Sequence, residues 1–552
     1  MNVGEKHVVE ITGYTHEGQG VARIGDLVVF TEKGLKNEKL EIEITEVKKN
    51  FARGKIIDII EKSPFRVEPD FEKMGGCNLA HVSYEHQLEI KEEIITNALR
   101  MVPGIEEAQR EKIISSDKPE RYRNKGHFQI QRNKDGKISF GFFEEGSHNF
   151  VVSKESVLYS EKVNKILGKI GTILSNEGKD ITIYHRRTGQ GNLKNIMIRE
   201  NRKTDEIMLV FVTAESKKLS KKFIGKISDE IPEATSIYQN LNPGRNHEVL
   251  GKKNIHLKGK EYITDNISKY KFQIYPATFF QINKSQTEKL YKKAMEYLNP
   301  EKEETIVDAF GGIGTIGSFI AETAGKVISI DDYEGSEKEG KAAAEINKIN
   351  NIEFLTGKVE EVLPKLEVNP DAIVLDPPRG GNKKEVLDAI IEKKIARIVY
   401  ISCNPGTLGR DLKILTEEGN YKVEKIVGVD MFSGTSHVET VVLISHKKAD
   451  THINVNVEFG EGEGKIPVGK IVEKAEDQRP SERVTYKMIQ EYIESKYGFK
   501  VHTSYIAEVK RDLGLPMYDA PNAVEELKNP RKHPTPEKVE AIKDALKHFR
   551  LV

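Results

Sequence analysis

Hydrophobic and polar positions change rhythm several times along this chain, and each rhythm predicts a different kind of element. Short β-rich runs occupy His7–Tyr14, Val21–Thr31, Lys39–Val47 and Ala52–Ile60, with Gly and Asn between them. Several short strands at this spacing predict a small barrel. Pro64 and Pro69 punctuate the next stretch, and Tyr84–Met101 then carries Leu88, Ile90, Ile94 and Leu99 in a helical pattern. Strand signals return from Arg121 to Lys260, at His127–Gln131, Ile138–Phe143, Ile181–Tyr184, Leu193–Arg199 and Ile207–Val212. Beyond Tyr270 apolar runs alternate with helical stretches, the runs being Thr305–Ala309, Lys326–Ile330, Ile352–Leu355, Ala372–Leu375, Arg397–Ser402 and Glu439–Ile444. That alternation predicts an α/β layer with a largely parallel sheet. Residues 449–480 are irregular and charged, and read as a linker. Tyr486–Tyr497, Ser504–Leu513 and Thr535–Phe549 read as helices, with Gly498 in the turn and Thr535 as N-cap ahead of Pro536.

The elements group into a small β-barrel over 1–62, a linker and helix over 63–119 and a β-rich domain over 120–265. An α/β domain over 266–447, a linker over 448–483 and a helical module over 484–552 follow. At about 150 residues per domain, 552 residues allow three or four. Charged residues make up 31%, above the usual quarter, which describes a globular chain with a highly charged surface. Lys+Arg and Asp+Glu each total 86, so a uniformly basic nucleic-acid binder is excluded. Local basic clusters remain: Arg121/Arg123/Lys125, Arg186/Arg187, Arg202/Lys203 and Lys217/Lys218/Lys221/Lys222, which could track phosphates or simply be solvated. The two cysteines, Cys77 and Cys403, exclude a disulfide framework and an all-cysteine metal site within one chain. A reducing compartment fits them, and neither a signal-type core nor a long apolar run is present. A cytoplasmic protein without a membrane span is expected.

Candidate chemistry gathers where the α/β strands end. Gly312-Ile-Gly314-Thr-Ile-Gly317 is a G-x-G-x-x-G directly after the Thr305–Ala309 strand. Such a loop suits a dinucleotide as well as S-adenosylmethionine. The next strand ends in Asp331, whose carboxylate can bind the ribose hydroxyls of either. Asp308, before the turn, suits a cationic sulfonium and its amino group better than a pyrophosphate. Asp376-Pro377-Pro378-Arg379 closes the fourth strand in a pattern of methyltransferases acting on planar nitrogenous groups. Cys403 ends another strand just before a helix, where a thiolate is favoured by the helix N-terminus and by cations such as Arg379 and Arg410. Without these neighbours an inert buried thiol would be the plainer reading. Glu439 opens the following apolar strand at the same sheet edge; its plainer reading is a solvated strand-end charge.

Together these motifs resemble the RNA (uracil-5-)-methyltransferases, from about residue 7 to 446. Phe279-Phe280-Gln281-Ile282-Asn283 is similar to the family's F-F-Q-V-N, Asp308-Ala309-Phe310-Gly311-Gly312 to D-L-Y-C-G, and Asp376–Arg379 and Ser402-Cys403-Asn404-Pro405 to its diagnostic motifs. The N-terminal strands resemble a TRAM domain, a small RNA-binding barrel. The resemblance implies a Rossmann-like S-adenosylmethionine-dependent domain with Gln281, Phe310, Gly312, Asp331 and Asp376 toward the cofactor. It also implies that Cys403 adds to uracil C6 and Glu439 removes the C5 proton, with the target uridine flipped out of its RNA fold. Arg379 and Lys217, Lys218, Lys221 and Lys222 are the expected substrate contacts. The barrel points to the branch acting on 23S rRNA, with a monomer as the default. A tRNA T-loop uridine-5 methyltransferase and a non-catalytic rRNA maturation factor are the alternatives. Cytosine-5 methylation typically places a cysteine beside the proline of the fourth-strand motif, which Asp376-Pro377-Pro378-Arg379 lacks.

Three departures matter. Gly311 stands where the family often has cysteine, which is expected to be harmless. Ser433-Gly434 replaces Pro-His before Thr435-Ser436-His437-Val438-Glu439, putting the loop beside Glu439 in question. Cluster-bearing members carry C-G-G-C-x-L-Q-H, and here the string is Met74-Gly75-Gly76-Cys77-Asn78-Leu79-Ala80-His81. One thiolate cannot hold a four-iron cluster, so none is expected and Cys77 reads as a packed or relic side chain. The tail beyond Val484 lies outside the resemblance; with Lys500, His502, Lys510 and Arg511 it suits a helix-turn-helix module or a docking module equally. Anaerobically purified protein should contain neither iron nor acid-labile sulfide; stoichiometric amounts of both would contradict the cluster-free reading.

Overall fold

Six strands open the chain: β1 (Lys6–Glu10), β2 (Gly13–Tyr14), β3 (Gly20–Ile24), β4 (Leu27–Thr31), β5 (Lys39–Val47) and β6 (Phe51–Glu61). They hydrogen-bond in the order β1-β5-β6-β4-β3-β2 around Val9, Ala22, Val29, Leu40, Ile42 and Ile44. The computed structural model describes residues 1–69, 76–133, 135–143, 150–153, 155–176, 181–186, 188–244, 249–447, 486–513, 515 and 533–549. Met74 of the cysteine-poor string, Arg187 and the 448–483 linker lie outside them. The expected Val21–Thr31 strand is a hairpin, because Gly25 takes φ 59° between β3 and β4. Where the chain leaves β6, the fully buried Glu38 carboxylate accepts two bonds from Arg66, at 2.7 Å each, and one each from the Leu35 and Ser63 amides.

The helix α1 (Tyr84–Leu99) buries Ile90, Ile94, Ile95 and Leu99, and β7 (Gln109–Arg110) follows it. The next sheet holds β8 (Lys125–Arg132), β9 (Ile138–Phe143), β10 (Phe150–Val152), β11 (Leu193–Asn201), β12 (Glu206–Thr213), β13 (Ala234–Leu241) and β14 (Lys253–Gly259). Its order is β10-β9-β8-β11-β12-β13-β14, antiparallel except for β12 and β13. Two helices not foreseen in the sequence, α2 (Glu161–Asn176) and α3 (Lys221–Glu230), contribute to the core on one face. Their period was readable, since Val163, Ile166, Leu167, Ile170, Ile173 and Leu174 share one side of α2. The expected Ile181–Tyr184 strand reduces to a single bridge between Ile183 and Leu193.

A hairpin, β15 (Ile263–Ile267) and β16 (Tyr270–Ile274), and α4 (Lys284–Leu298) lead into the α/β layer. That layer contains β17 (Thr305–Ala309), α5 (Thr315–Ile320), β18 (Lys326–Asp331), α6 (Ser336–Asn347), β19 (Ile352–Thr356), α7 (Val359–Val362) and β20 (Ala372–Leu375). The helix α8 (Lys384–Glu392), β21 (Arg397–Ser402), α9 (Pro405–Glu418), β22 (Tyr421–Val429) and β23 (Glu439–His446) complete it. The sheet order is β19-β18-β17-β20-β21-β23-β22-β7, with β17 to β21 parallel and β23 antiparallel to both neighbours. Alternate residues of these strands serve two cores, Ile306, Val374 and Val399 on one face and Val307, Ile373 and Ile398 on the other. The strand order reverses between β17 and β20, and ligands of open α/β sheets bind at the carboxyl ends beside such a switch point.

The described residues between 486 and 549 belong to a separate compact unit. Its helices α10 (Tyr486–Tyr497), α11 (Thr503–Asp512) and α12 (Pro536–His548) bury Ile489, Ile493, Ile506, Val509, Ile542 and Leu546. Gly498 turns the chain at φ 76°, and Thr535 holds the N-cap position of α12 without a side-chain bond. Among the described residues no helix is long and apolar enough to cross a membrane. Glu38→Gln leaves the recessed Arg66 cation without its counter-ion, so it should lower unfolding stability by about 3–5 kcal/mol. Urea titration followed by circular dichroism measures this, and an unchanged midpoint would remove Glu38–Arg66 as the clasp of the barrel.

Candidate active site

Asp331, Asp376 and Cys403 sit where strands of the parallel sheet stop, Gln281 follows β16, and Glu439 opens β23 at the same sheet edge. After β17 the chain turns through Phe310 at φ 62°, Gly312 at φ 59° and Gly314 at φ 74°. A Cβ on Gly311 would meet Ser329 Oγ at 2.2 Å and Asp308 Oδ2 at 2.5 Å, so glycine is required there in this conformation. The family's cysteine would force the loop to move. Asp308 is wholly buried beneath the loop, where Oδ2 accepts from the Gly317 amide at 2.9 Å and from Ser329 Oγ at 3.4 Å. Burial raises its carboxyl to about 7. Asp308 thus braces the start of α5 through Oδ2, its Oδ1 is buried without a hydrogen-bond partner, and it does not line the cleft.

Asp331, at the end of β18, accepts the Gly312 amide at 2.9 Å on Oδ2 and the Tyr333 amide at 2.8 Å on Oδ1. Asp376 follows β20 and is recessed in the cleft; burial first, then the charges of Asp308 and Asp331, raises it to about 7. Among the described residues no hydrogen-bond donor reaches its carboxylate, which leaves a strong acceptor open.

Cys403 follows β21. Asn404 caps α9 by accepting the Gly406 amide at 3.1 Å, and Pro405 occupies the first turn. Asn404 Nδ2 also donates to the Arg379 carbonyl at 3.1 Å, tying the cysteine turn to the Asp-Pro-Pro-Arg turn. Burial pushes the Cys403 thiol up to about 11, Glu439 and Asp376 add to the shift, and Arg379 opposes it. Arg410 lines the same cleft, with its guanidinium held by backbone and carboxylate. Its Nη2 donates to the Gly380 and Asn382 carbonyls at 3.1 and 2.9 Å, and its Nε to Asp411 at 2.8 Å. It braces the loop after Arg379.

Glu439 is buried at the head of β23, and among the described residues no hydrogen-bond partner reaches its Oε2. Burial, then Asp376, raises its carboxyl to about 8, and Arg379 pulls it down. Arg379 Nη2 lies 2.9 Å from His437 Nε2. Desolvation by the cleft walls and the Arg379 charge hold His437 well below the usual histidine range.

One cleft of about 1370 Å³ therefore gathers Gln281, Phe310, Gly312, Asp331 and Asp376 with Arg379, Cys403 and Glu439. It exceeds the roughly 300–1,000 Å³ of a single small-ligand site, so it has room for a cofactor and a base together. The open Asp376 acceptor, the Asp331 carboxylate and the glycine turn fit a ligand carrying an amine, a diol and a compact chain. Lys217, Lys218, Lys221 and Lys222 are exposed ahead of α3 and on its first turn, and do not line the cleft. Lining residues not anticipated as such include Arg123, Phe279, Tyr333 and His437. Phe279 is 65% exposed despite its size, while Phe280 is buried. Two adjacent phenylalanines outside a helix face opposite ways, which was the available signal. Among the described residues no group of three or more His, Cys, Asp or Glu is placed to hold a metal ion. Half-buried Cys77 packs against Gly434.

Residues 244–447 match the family model described as tRNA (uracil-5-)-methyltransferase, and residues 1–57 match the TRAM domain. An uncharacterized RNA methyltransferase of Oceanobacillus iheyensis is 38% identical over 81% of this chain and 98% of its own length. One from Staphylococcus aureus is 36% identical over 79% of this chain and 97% of its own. Among solved structures, Pyrococcus abyssi tRNA (uracil-54, C5)-methyltransferase in complex with S-adenosyl-L-homocysteine matches with a TM-score of 0.63 and 26% identity. That match covers 79% of this chain and 99% of the other. With a TRAM domain ahead of an α/β domain whose cleft lies at the switch point, and with these relatives, the chain belongs to the S-adenosylmethionine-dependent RNA (uracil-5-)-methyltransferase family.

Proposed function

We propose that this enzyme methylates C5 of uridine in 23S rRNA through a covalent bond between Cys403 and uracil C6. The observation that carries the reading is the placement of the Cys403 thiol, the Glu439 carboxyl and the Arg379 guanidinium in one desolvated cleft. Gln281, Phe310, Gly312, Asp331 and Asp376 would hold S-adenosylmethionine, which supplies an electrophilic methyl group. Uracil C5 is a poor nucleophile. Addition of the Cys403 thiolate to C6 breaks the ring's C5–C6 double bond and moves the electron pair into an enolate, nucleophilic at C5. Arg379 is the cation that favours the thiolate. Once C5 carries the methyl group, Glu439 takes the remaining C5 proton; the electron pair re-forms the double bond and expels the sulfur.

The seven-stranded sheet over 120–265, with Lys217, Lys218, Lys221 and Lys222 exposed, is read as the RNA-binding domain. The TRAM barrel supports a ribosomal substrate. Uracil-54 of tRNA is kept as a second reading, because the Pyrococcus abyssi tRNA enzyme aligns over 79% of this chain. A monomeric cytoplasmic enzyme is the accompanying expectation.

With labelled methyl donor and 23S rRNA or tRNA transcripts, methyl should reach C5 of uridine in the ribosomal RNA; no transfer to either RNA rejects the proposal. Cys403→Ala should abolish transfer, and Glu439→Gln should accumulate a covalent RNA–protein adduct, slowing its release by about 10²–10⁴-fold. The pH dependence follows from Glu439. Its carboxyl is raised to about 8, so it is largely protonated, and idle as a base, at lower pH. Adduct release measured by rapid quench should rise about tenfold per pH unit toward pH 8 and level off above it. A profile already flat at pH 6 would exclude Glu439 as the base.

A further inference from the structure

The segment between β22 and β23 begins at Asp430, carries His437 and ends at Glu439, and its backbone is held from outside. Asn283 Nδ2 donates to the Met431 carbonyl at 3.0 Å and Tyr122 Oη to the Ser433 carbonyl at 3.1 Å. Gln87, on α1, accepts the Gly434 amide at 2.9 Å, and Asn78 accepts the Ser436 amide at 2.9 Å. Gly434 has φ 80°, and a Cβ there would lie 3.1 Å from Cys77 Sγ, so the Ser433-Gly434 departure fits this path.

Asp430 anchors the segment. Its carboxylate, wholly buried, pairs through Oδ1 with Lys91 Nζ of α1. Its Oδ2 accepts from Tyr84 Oη at 2.7 Å and from Ser433 Oγ at 2.5 Å. Lys91 Nζ donates again to the Phe432 carbonyl at 3.1 Å, and the Ser116 amide donates to Tyr84 Oη at 2.6 Å. A buried ion pair adds little net stability once desolvation is counted, but the hydrogen-bonded partners it demands can favour a single arrangement. His437 and Glu439 lie further along the same stretch of chain.

Resting on the reading of Glu439 as base, we propose that Asp430, held by Lys91, Tyr84 and Ser433, is a positioning residue that aims Glu439 at the uracil C5 proton. Asp430→Asn would strand the Lys91 cation and risks misfolding. Tyr84→Phe, Ser433→Ala and their double variant each remove hydrogen bonds to Asp430 and leave the charge pair whole. Three quantities are read in the full-length enzyme: the KM for S-adenosylmethionine, the rate of the first methyl transfer, and the rate of adduct release. Wild type and Glu439→Gln run alongside; failure of the first to transfer methyl, or of the second to trap adduct, rejects the underlying reading and not the positioning role. The double variant should release adduct about 10- to 10²-fold more slowly, with the KM and first transfer within about twofold of wild type. If it does not fold, each single variant should still slow release several-fold. Release at the wild-type rate overturns the proposal, and so does an equal loss in all three quantities, which marks a merely structural contact.

Discussion

Desolvation of reactive groups at the carboxyl end of one parallel sheet is the constraint on which this molecule's chemistry rests. The Cys403 thiol is pushed up to about 11, Glu439 to about 8 and Asp376 to about 7, in each case by burial first. A shift of one unit represents about 1.4 kcal/mol of preference between protonation states, so these groups would relax toward solvent if the fold allowed it. It does not, because the strands that deliver them are buried on both faces. Arg379 opposes the shift of both the thiol and Glu439. A recessed carboxyl held close to neutrality, as Glu439's is, is suited to accept a proton and return it without a large driving force either way.

Precision at such a site comes from the turns being tied to one another. Asn404 serves as helix cap and as donor to the Arg379 carbonyl, so the Cys403 turn and the Arg379 turn are tied to each other. Arg410 stitches the loop after Arg379 to Asp411 on α9. Asp308 holds the glycine turn from beneath, and Asp430 holds the approach to Glu439 from the far side. None of these braces need touch a ligand, yet each sets the place of a group that lines the cleft.

The α/β layer was largely legible in the sequence. Thr305–Ala309, Ala372–Leu375 and Arg397–Ser402 appear as strands with the bounds their largely apolar runs predict. The motifs at their ends converge because parallel strands must send their carboxyl ends to one edge. What escaped notice was of two kinds. The strand Tyr421–Val429 and the helix Glu161–Asn176 carry a readable period, set amid β-rich or charged surroundings that mask it. Side-chain destinations were different: only tertiary contacts show that Asp308 braces the glycine turn and that Arg410 ties the loop after Arg379 while lining the cleft. Arg123 is the converse, a residue of a basic cluster that lines the cleft. The loop before Glu439, doubtful because of Ser433-Gly434, turned out to suit those residues, which no single-chain pattern could reveal.

The central claim is the bond between Cys403 and uracil C6, and RNA carrying 5-fluorouridine tests it most directly. Fluorine at C5 cannot leave as a proton does, so the enzyme should stall after methyl transfer with the sulfur still attached. Tandem mass spectrometry of the digested complex with S-adenosylmethionine should place a methylated fluorouracil on the peptide containing Cys403. Absence of any adduct under conditions where unmodified RNA is methylated, or its appearance on Cys77, would contradict the account.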